Sequence, residues 1–471
     1  MNKAFCMAAL VAATALAGCA VSRPPAQAPA AVPDEWQAPL PHNGTVRELS
    51  QWWRQFDDPL LVELIDSAQT VSPTVASARS HIAQARASRV AAGAALLPSL
   101  DAFASTQRGN NQLPLSLLTV TQAGLQTSWE IDLFGGNRAA ADAAQARLAG
   151  AQAGWHDARV SVAAETATTY VDLRACQLQL DIAENDARSR AETARLADLS
   201  EQAGFTAPAT AALARASASE GAARARQQRA LCEIDVKALV ALTAMPEPQL
   251  RSRLTTAGTG PARNAVLMTV DAVPAQVLAQ RPDVYQAELE VAAASADVGS
   301  TRAQRYPRLT LTGSIAVGRV SAEGESSNAE TWAIGPLALT LPIFDSGRRS
   351  ANVDAAQAHY EEAAALYRAR VRQAVREVEE ALVTLDSTRA REEDVQRAVD
   401  GYRISFTATE ARWRGGLASL VELEDTRRTL LVAELTLVGL QRDRSAAWIG
   451  LYRALGGGWT RPGTDTALAQ P

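Results

Sequence analysis

The segments YPRLTLTGSIAVG (306–318) and TWAIGPLALTLPIFDSGRR (331–349) decide how the rest of the chain can fold. In both segments apolar side chains alternate with small or polar ones, with one break at Gly335-Pro336. Period-two alternation is typical of a β-strand with two different faces. Each run covers about 11 residues, close to the roughly 9–11 residues that a tilted strand needs to cross a bilayer. The pattern therefore predicts a β-hairpin over 306–344.

A second hairpin is predicted at 98–134. Its closing strand alternates in the same way, with Trp129 among its apolar residues. The two hairpins also end alike, in LFGGNR (133–138) and IFDSGR (343–348). A lone hairpin is at best marginally stable in water, so each hairpin needs partner strands.

The chain contains an internal repeat. Pro73 precedes Pro98 by 25 residues, and Pro282 precedes Pro307 by the same 25. Both intervals are rich in alanine and helical in pattern. The offset between the halves is therefore 307 − 98 = 209 residues, which indicates one structural unit used twice.

Long helices are predicted after each hairpin. The stretches 137–203 and 350–414 contain no proline, and each is followed by a glycine-containing turn and a second helix, at 209–245 and near 420–455. Helices of this length need packing along their whole length and do not form the interior of one compact globule.

Four strands are too few to close a barrel, since the smallest membrane barrels have about eight. An open sheet edge is not tolerated in lipid. If the hairpins span a membrane, several chains must share one barrel. Two chains would give eight strands and three would give twelve.

The N-terminus is predicted to be an export signal (1–18) with Lys3 as its positive end and a short apolar core. The sequence Leu16-Ala17-Gly18-Cys19 resembles a bacterial lipobox, which predicts lipidation at Cys19; an ordinary signal peptide with a chance cysteine is the alternative. Residue 20 is alanine, which by resemblance to lipoprotein sorting rules directs the chain to the outer membrane. The Pro- and Ala-rich segment within 19–44 is predicted to be an extended tether.

Composition excludes several classes of function. The net charge is −5 over 471 residues, with no large basic patch, which argues against a nucleic-acid partner. Aromatic residues are 5% of the chain, low for a carbohydrate-binding or catalytic groove. The four histidines are scattered without metal-ligand spacing, and we expect no metal, no cofactor and no enzyme activity.

Cys176 and Cys232 lie on the two helices that flank the turn at Gly204. Their midpoint, (176 + 232)/2 = 204, is the turn glycine itself, so the two cysteines are level in an antiparallel hairpin. A disulfide is geometrically plausible in an oxidising periplasm. Two buried free thiols are the alternative.

Several motifs together resemble the TolC-like outer membrane efflux proteins, most closely the lipid-anchored branch that serves resistance-nodulation-division (RND) pumps. The resemblance covers roughly 45–460. It is carried by the lipobox and by WWRQFDDP (52–59), WEIDLFG (129–135), RPDV (281–284), Tyr306-Pro307 and PIFDSGR (342–348).

The resemblance implies an α+β membrane protein that forms a homotrimer. Four strands per chain build a 12-stranded β-barrel, continued by a long α-helical periplasmic barrel. A mixed belt surrounds the middle, near 37–58, 245–273 and 455–464. The repeats are expected at 45–260 and 261–460, followed by a disordered tail at 461–471.

The implied function is that of a passive exit duct in the outer membrane. A periplasmic adaptor and an inner-membrane RND transporter complete the pump, and outer membrane lipid surrounds the barrel. The alternatives are the outer membrane channel of a type I protein secretion system and a non-conducting structural lipoprotein.

The resemblance also assigns functional residues. The expected adaptor-contact tips are the two helix–helix turns, which comprise Gly204, Phe205, Thr206, Gly416, Leu417, Ala418 and Ser419. Val421, Glu422 and Asp425 follow the second tip, and we hypothesise that they ring the periplasmic aperture. Three like charges close together would favour opening or cation binding. Alternatively, Asp425 pairs with an arginine such as Arg427 or Arg428 of a neighbouring helix.

A further hypothesis concerns the aromatic residues of the hairpins. An aromatic girdle at the lipid interface and packing between strands are equally compatible with the pattern. The residues are Trp129, Phe134, Tyr306, Trp332 and Phe344.

Overall fold

The structure is a computed structural model. It describes residues 21–33, 36–38, 53, 58–109, 117–256, 278, 281–322 and 325–462. The described chain is mostly helical, with four strands in one antiparallel sheet. The signal segment, Cys19, most of the predicted belt and the last nine residues lie outside the described residues.

The elements follow the plan that the repeat predicts. In the first half they are α1 (Pro59–Val71), α2 (Pro73–Ala94), β1 (Ser99–Gly109), β2 (Leu118–Ile131), α3 (Gly136–Gln202), α4 (Pro208–Thr243) and α5 (Glu247–Thr256). In the second half they are α6 (Pro282–Ala303), β3 (Arg308–Ala322), β4 (Glu325–Thr340), α7 (Arg348–Arg414) and α8 (Leu420–Ala454).

The two halves repeat in structure as well as in sequence. The interval of 209 residues separates the starts of α2 and α6 (282 − 73) and the starts of β1 and β3 (308 − 99). Helices α3 and α7 are 67 residues each, or about 100 Å at 1.5 Å per residue. Proline opens α1, α2, α4 and α6, where its missing N–H and fixed φ are compatible with the first helical turn.

The sheet has the order β1-β2-β3-β4, so β1 and β4 are its edges. Paired residues across the strands share a face, and most of the large apolar side chains lie on one face in the half of the sheet next to the helices. They are Leu100, Ala102, Leu125, Trp129, Ile131, Leu309, Leu311, Ile315, Val317, Trp332, Ile334, Leu337 and Leu339. In the other half of the sheet the same face carries polar residues, including Arg319, Asn328 and Glu330. The opposite face carries Asp101, Ser105, Gln122, Gln126, Ser128, Glu130, Thr310, Thr312 and Ser314, together with Phe103, Val120 and Val320.

The break at Gly335-Pro336 is a β-bulge. Gly313 pairs with Ile334 and Leu311 pairs with Leu337, so β4 carries one extra residue there. An extra residue reverses the side-chain parity of a strand. Because the apolar residues change from even to odd numbers at the same point, they all remain on one face.

The chain divides into two compact units that do not follow the halves of the repeat. The first unit comprises 1–30, 80–153 and 285–370, and it contains the sheet. The second comprises 31–79, 154–284 and 371–471, and it contains both helix–helix turns. Each unit draws on both halves, because α3 and α7 each contribute to both units. The division at residue 260 therefore describes the repeat and not the compact units.

The core of the second unit joins α1, α3, α4, α5, α7 and α8. Tyr170 is fully buried at its centre, and its hydroxyl donates a hydrogen bond of 2.5 Å to Asp58. The other oxygen of Asp58 accepts from the backbone N–H of Leu60 and caps α1. Burial and the bond to Asp58 raise the pKa of Tyr170, so its hydroxyl stays protonated and keeps donating.

The N-terminal segment at 21–30, part of the predicted tether, is bound along α6 and α7. The carbonyl oxygens of Ser22 and Pro24 accept bonds from Arg302 (2.8 Å) and Ser295 (2.5 Å), and Ala28 is buried beside Val291, Ala294, Ala363 and Ala364. A Pro-rich extended segment has no internal donors for its carbonyls, so helix side chains supply them.

In the part of the chain that the structure describes, none of the helices combines the length and the apolar character that crossing a bilayer requires.

Candidate functional site

The first helix–helix turn follows α3. Gly204 has a φ of +79°, and its N–H donates to Glu201 O at 2.9 Å, while Phe205 N–H donates to Ser200 O at 2.8 Å. This pair of bonds is a Schellman motif, which needs a left-handed residue at the position of Gly204. The Ser200 and Thr206 hydroxyls lie 2.6 Å apart and close the turn from the side.

The second turn has the same construction. Gly416 has a φ of +74° and donates to Trp413 O at 2.9 Å, and Leu417 donates to Arg412 O at 2.8 Å. After Ala418, the hydroxyl of Ser419 caps α8 by accepting from the N–H of Glu422 at 3.1 Å.

Each turn presents one large apolar side chain to solvent, at the same position of the motif. Phe205 is 86% exposed and Leu417 is 75% exposed. Burying such side chains is favourable by about 1.5–3 kcal/mol each. Two exposed apolar side chains held on rigid turns are therefore suited to contact a partner surface.

The two turns belong to one packed assembly of helix ends. Small residues of α3 and α4 pack against Leu420 and Leu423 of α8, in a cluster completed by Ala194, Ala197, Ala211 and Ala214. Alanine at these positions lets the helices approach closely, so the helical hairpin of α7 and α8 packs directly against the helical hairpin of α3 and α4.

A buried polar cluster at Glu424 joins the two helical hairpins, α3–α4 and α7–α8. One carboxylate oxygen of Glu424 accepts from Arg190 at 2.9 Å and from the Ser217 hydroxyl at 2.7 Å, and the other pairs with Arg427. Arg427 also donates to Thr193 at 3.0 Å. Burial lowers the pKa of Arg427, and the charge of Glu424 opposes that effect.

This cluster was not predicted from the sequence. Glu424 with Arg427 and Asp186 with Arg190 are spaced like the many ion pairs on solvated helix faces. Their burial depends on how two distant hairpins pack. The one available signal is that Arg427 lies among the apolar positions of α8, between Leu423 and Leu431.

Two of the three hypothesised aperture residues, Val421 and Asp425, are exposed in the single chain, and the third, Glu422, is half-buried. Val421 is exposed, and Glu422 pairs with Arg412 of α7 at 2.7 Å. Asp425 lies 3.8 Å from Arg428 of its own helix, and both side chains are at least 70% exposed. The alternative partner, Arg427, is bound to Glu424 instead. Asp425 therefore has only a weak, solvent-screened contact within the described chain.

Cys176 and Cys232 are bonded in the structure. Their Cα atoms are 5.5 Å apart, within the usual range for a disulfide. The bond joins α3 to α4 within the core of the second unit, where both residues are buried.

The aromatic residues of the hairpins fall into two groups. Phe134 stacks on Tyr306 with ring centroids 4.9 Å apart, and the Trp129 indole donates to Leu96 O at 3.1 Å. These residues and the 86%-exposed Phe344 lie where the sheet meets the helices. Trp332 does not join them, because it pairs with Ile315 in the middle of the sheet. The aromatic girdle stays a prediction.

Within the described ranges, no group of three or more His, Cys, Asp and Glu side chains could hold a metal ion. Cys19, the predicted lipidation site, lies outside those ranges.

The comparisons with known proteins agree with one another. The sequence model described as "Outer membrane efflux protein" matches residues 64–244 and 273–457. The pyoverdine export outer membrane protein OpmQ of Pseudomonas putida is 32% identical over 465 residues, which cover 94% of this chain and 95% of that protein.

Solved structures give the same result. The outer-membrane channel OprN superimposes with a TM-score of 0.83 at 27% identity, covering 93% of this chain and 99% of that one. The Campylobacter jejuni CmeC outer membrane channel gives a TM-score of 0.81 at 25% identity, covering 95% and 97%. The chain belongs to the outer membrane efflux protein family and has the fold of its TolC-like channels.

Proposed function

We propose that this protein is the exit duct of a tripartite efflux pump in the outer membrane. The observation that carries the proposal is the two-faced sheet. In the half of the sheet next to the helices, one face carries most of the large apolar side chains and the other carries most of the polar ones, as expected for strands with lipid on one side and a water-filled lumen on the other. In this proposal the duct itself is passive and the transporter supplies the energy.

The open edges of the sheet support a homotrimer. Strands β1 and β4 each have one unpaired edge, and edges of this kind are not tolerated in lipid. In a four-stranded antiparallel sheet, β4 of one copy runs antiparallel to β1 of the next, so copies can join in a ring. Three copies give twelve strands, the number that the family resemblance implies.

The apolar turn residues support docking of a periplasmic adaptor. Phe205 and Leu417 occupy equivalent positions of two equivalent turns. An adaptor with a matching apolar groove would bury both, and an inner-membrane RND transporter would complete the pump. Cys19, lipidated after removal of the signal segment, would add a second attachment to the membrane.

The cargo is proposed to be a small molecule, as the name of the relative OpmQ suggests. We infer an efflux channel in preference to a type I protein secretion channel on that ground. The names of an adaptor gene and a transporter gene beside this one would separate the two functions.

The proposal extends to the aperture. Three copies of the exposed Asp425 near a threefold axis would form an acidic ring. Glu422 would add little negative charge to this ring, because its carboxylate is paired with Arg412. The test is single-channel conductance of the mature protein in a planar bilayer. We expect discrete, cation-selective channels, and we expect Asp425→Ala to lower cation selectivity and change conductance.

Glu392→Ala is a suitable control, since Glu392 is a half-exposed carboxylate on α7 that pairs with Arg444 away from the turn. Unchanged selectivity and conductance in Asp425→Ala would remove the role of Asp425 in gating. Absence of any channel activity in the wild-type protein would contradict the duct itself.

A further inference from the structure

The second compact unit contains a cavity of about 380 Å³ that the duct does not use. It lies where α1 and α3 meet the segment that follows α8. Its walls include three large aromatic side chains, Trp53, Tyr452 and Trp459, together with His156. Cavities that bind small ligands are typically 300–1,000 Å³ in volume and are aromatic with a few polar groups, so the size and the lining both fit a ligand site.

A tight turn of three glycines forms part of the cavity wall. Gly456, Gly457 and Gly458 all have positive φ, between +63° and +82°. At Gly457 a Cβ atom would overlap the side chain of Val160, so only glycine lets the chain turn so tightly against α3. The hydroxyl of Tyr452 donates to Gly457 O at 3.2 Å and holds the turn. The turn brings Trp459 opposite His156, with ring centroids 6.3 Å apart.

Neighbouring side chains pack against the aromatic rings of the cavity and fix their positions. Trp53 packs on Tyr452 with ring centroids 4.6 Å apart. On the other side, Trp155 contacts His156 at 4.8 Å, and the guanidinium of Arg159 lies 5.1 Å from the Trp155 ring. Rings fixed in this way present apolar surfaces at a low entropic cost of binding.

Polar groups of α1 and α3 line the remaining wall. Arg159 donates two bonds of 3.1 Å to the amide oxygen of Gln69, whose nitrogen donates to Arg159 O at 3.0 Å. Burial and the charge of Arg159 lower the pKa of His156, so the imidazole is neutral and can both donate and accept. Asp66 also lines the cavity, and no described side chain forms an ion pair with its carboxylate.

We propose that this cavity binds a saccharide that carries N-acetylated hexosamine units. A pyranose ring has an apolar C–H face that stacks on an aromatic ring and a rim of hydroxyls that both donate and accept hydrogen bonds. Trp459 and Trp53 supply the stacking surfaces, and Asp66, Gln69 and His156 supply both kinds of hydrogen-bond partner. Val62, which is partly exposed in the same wall, offers an apolar contact for an acetamido methyl group.

The choice of a saccharide follows from the mixture of groups. A purely apolar ligand would bury Asp66 and His156 without partners, which is costly. The lining carries one acidic and one basic side chain, Asp66 and Arg159, so their charges balance and favour neither an anionic nor a cationic ligand. A neutral ligand rich in hydroxyls satisfies all of these groups. Aromatic residues are only 5% of the chain, but the average over the chain hides their local concentration at this cavity.

The source of such a saccharide is the periplasmic side of the membrane. The sheet belongs to the other compact unit, and the family's helical part is periplasmic. The glycan strands of the cell wall consist of N-acetylated hexosamines, whereas lipopolysaccharide carries related sugars in the outer membrane. Binding to the cell-wall glycan would anchor the duct laterally as its long helices pass through that layer.

The test is calorimetric titration of the full-length mature protein in detergent with tri-N-acetylchitotriose. We expect saturable binding, weakened about tenfold by Trp459→Ala and by Asp66→Asn. Trp459 is only partly buried and Asp66 is exposed, so both variants are expected to fold, which circular dichroism checks. Trp332→Ala, an exposed tryptophan of the sheet, is the matched control and should bind like the wild type.

Two further arms identify the source. Co-sedimentation with purified cell-wall sacculi, lost in Trp459→Ala, would assign the site to the wall glycan; retention on lipopolysaccharide vesicles alone would assign it to the outer membrane sugars. No binding of the trisaccharide by the wild type at millimolar concentration would overturn the proposal, and so would binding that Trp459→Ala and Asp66→Asn leave unchanged. Channel conductance does not depend on glycan binding. The conductance test can therefore contradict the duct, and the binding test the glycan site, each without affecting the other proposal.

Discussion

The pair Cys176 and Cys232 illustrates what single residues contribute to this fold. The bond closes a loop of 56 residues around the first helix–helix turn. Closing such a loop restricts the unfolded chain, and disulfides of this kind typically stabilise by about 2–4 kcal/mol. It joins α3 to α4 at the level of the main core, so it would keep the first hairpin paired while its turn contacts a partner.

We expect reduction, or the variant Cys176→Ser, to lower the free energy of unfolding of the helical part by about 2–4 kcal/mol. The measurement is thermal unfolding followed by circular dichroism, with and without reductant. The double variant Cys176→Ser/Cys232→Ser is the control, and its unfolding midpoint should not respond to reductant. A midpoint of the wild type that is equally insensitive would favour two free thiols.

Residue positions were predictable from the sequence where a local rule fixes them. The level placement of Cys176 and Cys232 follows from counting outward from Gly204, since an antiparallel hairpin pairs residues equidistant from its turn. Glu424 could not be found in this way. Its partners Arg190 and Ser217 are 234 and 207 residues distant, and only the packing of two hairpins brings them together.

Element boundaries were predictable because proline and glycine mark them. The predicted helices 137–203 and 350–414 differ from α3 and α7 by at most two residues at either end. The path of the N-terminal segment was not predictable, since its bonds come from side chains of α6 and α7. The position of Trp332 along the sheet was not predictable either, because period-two alternation identifies a face and carries no information about the position of a strand relative to its neighbours.

The two helix–helix turns are expected to bind the adaptor through their exposed apolar side chains. If Phe205 and Leu417 contact the adaptor, the double variant Phe205→Ala/Leu417→Ala should weaken adaptor binding by at least tenfold, because two buried apolar side chains contribute about 1.5–3 kcal/mol each. The variant leaves Gly204 and Gly416 in place, so the turns themselves should be unchanged.

The measurement is the affinity of the detergent-purified channel for the purified adaptor encoded beside it. Ile404→Ala is the control, since Ile404 is a 72%-exposed residue of α7 located 13 residues before Leu417. Equal losses in the control and the double variant would mean that apolar exposure along the helices matters and that the turns have no special role.

For the whole molecule, the decisive property is the closure of the sheet. A single chain leaves one edge of β1 and one edge of β4 unpaired, so the two faces of the sheet acquire their separate roles only in the assembled ring. The neighbouring residues Ser314 and Ile315 lie on opposite faces of β3, and both are exposed in the single chain. They therefore test the assembled state, because one faces lipid and the other faces the lumen only if the ring forms.

Native mass spectrometry of the detergent-extracted mature protein should give three chains, each with a lipid at Cys19. Ile315→Arg should reduce the amount of membrane-inserted trimer strongly, because an arginine on the lipid face near the bilayer midplane costs about 2–4 kcal/mol per chain. Ser314→Arg should still give the trimer, because a lumen of twelve strands accommodates a charged side chain in water. A monomer or an eight-stranded dimer would contradict the twelve-stranded barrel. Equal losses for the two arginine variants would contradict the assigned orientation, since they would mean that the apolar face of this sheet is not the face that meets lipid.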